Sequence, residues 1–163
     1  MIRVQNIKKS LTEIKLERLL KANKEHVEIG HFEESGMHYS GFTFPELMKL
    51  HHKGYEGVAA RPVLEHLFQN HLKILNHPDV MRAMKRYADS RMTEKDLIRM
   101  LQAVGRAMAE EEVDIFGSSM LASNRASTKA AKGGVDTPLV DTQELVQEVS
   151  YKDSVTKVRR TVL

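Results

Sequence analysis

Eight histidines, all between His26 and His77, are the residues best able to ligate a metal or move a proton in this 163-residue chain. Their spacing argues against a metal site. There is no HExxH, and His66 and His71 are five apart, so they share a helix face poorly. His51 and His52 are adjacent and diverge, and His26 faces away from His31 across an extended stretch. Composition allows a Ser/His/Asp triad, but no G-x-S-x-G elbow exists. Gly133-Gly134 lacks the Lys-Ser/Thr of a phosphate loop. Glu33-Glu34 and Glu110-Glu111-Glu112 read as solubilising carboxylates on solvated sides rather than as an acid/base pair. The expectation is no catalytic residue, no cofactor and no bound metal.

The totals narrow the class. The length fits one domain, or one domain with an arm. Without cysteine, disulfides and thiolate metal sites are excluded, and a reducing assembly compartment fits. No apolar run approaches the ~18 residues of a membrane span, and the N-terminus lacks the apolar core of a secretory signal. The net charge of +3 is mildly basic. The absence of Trp and an aromatic content of 6% argue against stacking platforms for single-stranded nucleic acid.

The elements follow from period and caps. Ser10-Leu11-Thr12-Glu13 is a capping-box pattern, so a basic helix is expected over residues 11–24. It carries two apolar groups: Leu11 and Ile14 on one side, Leu16, Leu19 and Leu20 on the other. Residues 26–32 alternate as a strand, and residues 37–42 read as its return, an N-terminal hairpin. Thr43 to Glu46 is a second capping box, opening a short helix to His52. After Pro62, the spacing of Leu64, Leu67, Phe68, Leu72 and Leu75 predicts an amphipathic helix with these residues inward. Val80, Met81, Met84 and Tyr87 suggest a further short helix. Thr93 and Asp96 cap the strongest helix, whose inward stripe is Leu97, Leu101, Val104 and Met108. Gly105 within it hints at a close helix crossing. Residues 117–140, rich in Ser, Ala, Lys, Thr and Gly, read as a long loop or arm carrying Arg125, Lys129 and Lys132. Asp141-Thr142 then caps one short helical turn, and residues 149–163 form a second hairpin. The expected class is α+β, with a small antiparallel sheet from the terminal hairpins packed against several helices.

The chain is organised around Leu47 to Pro62, LMKLHHKGYEGVAARP: a helix exit, a Gly-bounded loop and an Arg-Pro that starts the next helix. Its residues His51, Gly54, Arg61 and Pro62 are followed about seventy positions later by Lys132 and then by Pro138-Leu139-Val140-Asp141-Thr142. Asn124 and Thr128 precede Lys132, and Val149-Ser150-Tyr151 follows the motif. In order and spacing this resembles the neck and tail-completion (tail terminator) proteins of tailed bacteriophages, over residues 26–152. Two positions depart from that pattern: Gln143 stands where Gly usually follows Asp-Thr, and Lys53-Gly54 replaces an aromatic-Gly.

The resemblance implies a non-enzymatic virion protein at the head–tail joint, assembled in the host cytoplasm. It implies a homo-oligomeric ring, commonly a hexamer, that caps or completes the tail tube and meets adjacent neck, connector and tail-tube proteins. Genomic DNA would pass through such a ring without sequence-specific binding, and no membrane is involved. A ring requires heterologous contacts, one patch against a different patch on the next subunit. Rival readings are a head-closure ring, a small basic DNA-binding module and a metal-dependent enzyme built on the histidine-rich half. A steep salt dependence of DNA affinity would mark the binding module.

Overall fold

The computed structural model describes residues 13, 17, 24–89, 93–139 and 143–163. The expected cap at Ser10 and the apolar groups at Leu11, Ile14, Leu16, Leu19 and Leu20 lie outside the described residues, as do Val140, Asp141 and Thr142.

The fold is α+β. Strand β1 (Val27–Gly30) pairs antiparallel with β2 (Ser150–Asp153), and β2 pairs antiparallel with β3 (Arg160–Thr161). The helices between them are α1 (Phe44–Lys53), α2 (Val63–Gln69), α3 (His71–Leu75), α4 (Pro78–Asp89), α5 (Glu94–Ile115), α6 (Ala126–Ala131) and α7 (Glu144–Gln147). The long α5 runs across the sheet and also carries α2, α3 and α4 on its flanks.

Two helix starts rest on local chemistry. The Thr43 hydroxyl accepts from the Glu46 amide at 3.4 Å, and the Glu46 carboxylate accepts from the Thr43 amide at 2.9 Å. Thr93 and Asp96 make the same reciprocal pair at the head of α5, both bonds at 3.2 Å. Each box satisfies amides that the first helical turn leaves without partners.

The C-terminal hairpin forms as expected, tied by the buried Asp153 carboxylate. Burial alone would raise its pKa, but bonds from the Thr156 amide (2.7 Å) and hydroxyl (2.6 Å), from Gln102 and from Arg160 hold it below the usual range. The N-terminal hairpin does not form. Residues 33–35 make a 3-10 turn and residues 38–41 a second turn, leaving only a single bridge between Met37 and Thr43. Met37 and Tyr39 point to solvent, so a return strand there would have no apolar face to bury. Strand β1 turns instead to β2, in the register Ile29 opposite Tyr151.

Three further expectations are corrected. In α2 and α3 the buried residues are Val63, Leu67 and Ile74, whereas Leu64, Phe68, Leu72 and Leu75 are 36%, 62%, 63% and 44% exposed. Both faces of this stretch are apolar, and the branched side chains at positions 63, 67 and 74 pack against α5. Gly105 marks the crossing of α5 with the sheet rather than with another helix. A Cβ there would stand 2.7 Å from Tyr151 and 2.8 Å from Val27, so only glycine admits this approach. Finally, Glu111 and Glu112 are buried rather than solvated. Glu111 is matched by Asn70 at 2.7 Å and Lys73 at 2.5 Å.

Candidate functional site: the Arg61 corner

The corner that the sequence singles out is closed by the chain around it. Helix α1 ends at Gly54, whose φ of 74° is left-handed and whose missing Cβ would lie 2.7 Å from the Val58 carbonyl. Residues 55–58 form a tight turn in which Tyr55 and Val58 exchange backbone bonds of 3.2 and 2.6 Å. Its central residues, Glu56 and Gly57, both have positive φ, as the turns that join antiparallel strands require. The Arg61 amide then donates to the His51 carbonyl at 2.8 Å, which folds the corner back on α1. Pro62 sits at the N-cap of α2, where its missing N–H costs nothing.

Arg61 is buried, with 6% exposure. Its guanidinium donates from Nε to the Ala122 carbonyl at 2.9 Å. From Nη2 it donates to the Ser123 carbonyl at 3.3 Å and to Asn124 Oδ1 at 3.2 Å. The fork bypasses the loop just before it and reaches the distant 117–139 stretch. Arg125 answers in the opposite direction, donating to the carbonyls of Glu56 (3.0 Å) and Gly57 (3.2 Å). The two arginines lace together stretches about sixty residues apart in sequence.

The 117–139 stretch is not the unbroken loop expected from its composition. Its ends are closed by the Gly117 amide on the Pro138 carbonyl at 2.9 Å, Pro138 is buried, and α6 forms in the middle. Asp136 is its inner hub and was missed in the sequence. It accepts from the Ser123 hydroxyl and from the Asn124 amide at 2.9 Å, and it pairs with Lys129 Nζ at 2.9 Å. These donors, the Ser123 hydroxyl foremost, hold its carboxyl well below the usual carboxylate range. Lys132 Nζ donates to the Thr137 carbonyl at 3.3 Å. Leu139 (φ 61°) and Gln143 (φ 67°) are both left-handed, flanking the Asp141-Thr142 position.

His51, Arg61, Asn124, Arg125, Thr128, Lys132 and Leu139 line one cleft of about 320 Å³, together with Tyr55 and His38. Residues that carry the family resemblance are thus brought together, although they come from separate parts of the chain. Among the described residues no Asp or Glu lines this cleft. The His51 imidazole is held below its usual pKa by burial and by the neighbouring Arg61 and His38 charges. At the mouth, Ser40 Oγ lies 2.7 Å from His38 Nδ1, and His38 Nε2 lies 3.7 Å from Glu144. This Ser/His/carboxylate line is a local turn: Nδ1 also takes the Ser40 amide at 3.2 Å, and the carboxylate stands beyond hydrogen-bond reach. Among the described residues no group of three or more His, Asp or Glu is placed to hold a metal.

A second buried cluster was absent from the sequence reading. His31, at the end of β1, and Glu112, on α5, lie side by side in the core. The signal was present in the period of α5: Glu112 falls four residues after Met108 and so continues the buried stripe. No known protein family, curated protein or solved structure matches the chain.

Proposed function

We propose that this chain is a ring-forming structural subunit at the head–tail joint of a tailed bacteriophage, one that caps or completes the tail tube. The reading rests on the resemblance carried by His51, Gly54, Arg61, Pro62, Lys132, Pro138 and Leu139, several of which meet at one corner. The observation that carries it furthest is the outward apolar face of α2 and α3. Leu64, Phe68, Leu72 and Leu75 follow helical spacing and are exposed among the described residues, on helices whose other face already packs against α5. Contiguous apolar surface of this kind marks an association face. A ring buries such a face against a different patch of the next copy. The corner contributes rigidity: its cations are engaged by carbonyls and by Asp136, which suits a scaffold that keeps its shape during assembly.

Native mass spectrometry of the purified chain tests the reading. A sixfold assembly is expected for the wild type. Phe68→Glu and Leu72→Glu should give a folded monomer with unchanged far-UV circular dichroism. A wild-type chain that stays monomeric at high concentration, and that a particle reconstruction also shows as an isolated monomer, would reject the ring.

A further inference from the structure

We infer that the cleft at the Arg61 corner is an oxyanion-binding site, built to take one carboxylate or phosphate group between Arg61, His51 and Asn124. Three observations lead there. First, Arg61 is a buried cation whose hydrogen-bond partners are all neutral: two backbone carbonyls and one amide oxygen. A guanidinium taken out of water loses much of its solvation, and neutral acceptors return only part of it. The carboxylate whose field reaches Arg61, Asp136, is already engaged by Ser123, the Asn124 amide and Lys129. Consistent with this, burial lowers the Arg61 pKa, and the field of Asp136 opposes it only in part.

Second, the same cleft holds two buried side-chain nitrogens with no partner, Asn124 Nδ2 and His51 Nδ1. The orientation of the Asn124 amide is set by Arg61. Its oxygen must face the Nη2 donor, so the unpartnered atom is an N–H donor. His51 is held neutral by burial and by nearby positive charge, and the tautomer protonated at Nδ1 is a donor as well. A buried donor without an acceptor is costly, so Asn124 Nδ2 in the cleft wall calls for an acceptor, and His51 meets the same acceptor when Nδ1 carries its proton.

Third, Arg125 also lines the cleft, and among the described residues no Asp or Glu does. A positive wall with unpartnered N–H groups is the inverse of an oxyanion, which brings charge and several acceptor lone pairs at once. The site lies within one subunit and stands apart from the ring reading, so either can fail without the other.

The test is a titration of the full chain with sodium phosphate and, separately, sodium acetate, at ionic strength held constant with sodium chloride. Melting temperature and the ring resonances of His51 are followed together. Saturable stabilisation and an upward shift of the His51 titration are expected with one anion or both, because a bound negative charge favours imidazolium. A response to acetate alone marks a carboxylate site, and one to phosphate alone marks a phosphate site. His51→Leu and Asn124→Leu should each weaken the response at least fivefold, and His51→Leu leaves the side-chain bonds of Arg61 in place. Melting curves that respond no more to these anions than to chloride, or a response that both variants retain in full, would overturn the site.

Discussion

His31 Nδ1 lies 3.9 Å from Glu112 Oε1, with both side chains almost wholly shut off from water. His31 Nε2 donates to the Leu145 carbonyl at 2.7 Å, because a carbonyl can only accept. In the neutral ring Nδ1 is therefore a lone pair facing a carboxyl group whose oxygens have no hydrogen-bond partner. An ionised Glu112 would face that lone pair unsupported, and burial pushes its pKa up to about 7. Burial also lowers the pKa of His31.

The first prediction concerns pH. Glu112 has a folded pKa near 7 against an unfolded value of 4.5. Its contribution to stability is therefore complete below pH 4.5 and is lost as pH rises through 7. The span corresponds to roughly 3 kcal/mol. His31 acts in the opposite sense: its folded pKa is depressed, so its contribution is present above 6.5 and is lost as pH falls. Glu112→Gln should leave stability near pH 4.5 almost unchanged and make the variant relatively more stable than wild type at pH 8. Urea unfolding at both pH values checks this, and parallel profiles for the two proteins would refute it.

The second concerns Arg61. Removing its side chain in Arg61→Ala leaves the Ala122 and Ser123 carbonyls and the Asn124 amide without their donor. A loss of about 3 kcal/mol is expected, since bonds from a charged donor each contribute about 1.5–3 kcal/mol. Arg61→Lys should recover less than half, because one ammonium cannot reproduce a fork spread over three acceptors. Chemical denaturation followed by circular dichroism measures both, and wild-type midpoints would remove the structural role.

The third concerns Gln143. It caps α7 from a left-handed conformation, φ 67°, at the position where the resemblance would place glycine. A side chain in that region costs about 1–2 kcal/mol. Glycine removes this but loses more entropy on folding, about 0.5–1 kcal/mol. Gln143→Gly should therefore raise stability by up to about 1 kcal/mol, seen as a higher thermal midpoint. A lower midpoint would contradict the argument.

The fourth concerns the 117–139 stretch. An arm ordered mainly by neighbouring subunits should show little amide protection in the free chain. The bonds to Arg61, Arg125 and Asp136 instead predict protection at Asn124 and Gly117 before any assembly. Because the Asp136 carboxyl is held below its usual range, this protection should persist at pH 4 and be lost as pH falls through and below 3.8. Exchange on free subunits, read by mass spectrometry, decides between the two.

The sequence by itself determined the features whose partners lie within three or four residues. Thr43 and Thr93 begin helices because a hydroxyl and a carboxylate one turn apart satisfy each other's amides. Gly54 ends α1, Pro62 heads α2, and the turn before β3 closes on Asp153, all by local geometry. The α+β class follows from those elements. Only the tertiary structure decided which of two apolar faces of residues 63–75 is buried, because either face can supply area and only the packing against α5 distinguishes them. It also decided that β1 pairs with β2, that Gly105 meets the sheet, that Glu112 is buried beside His31, and that Arg61 reaches Ala122 rather than its own loop. These are contacts across some forty to one hundred and thirty residues of chain. Their energies depend on what lies opposite in space, a quantity that local residue types and spacing do not carry.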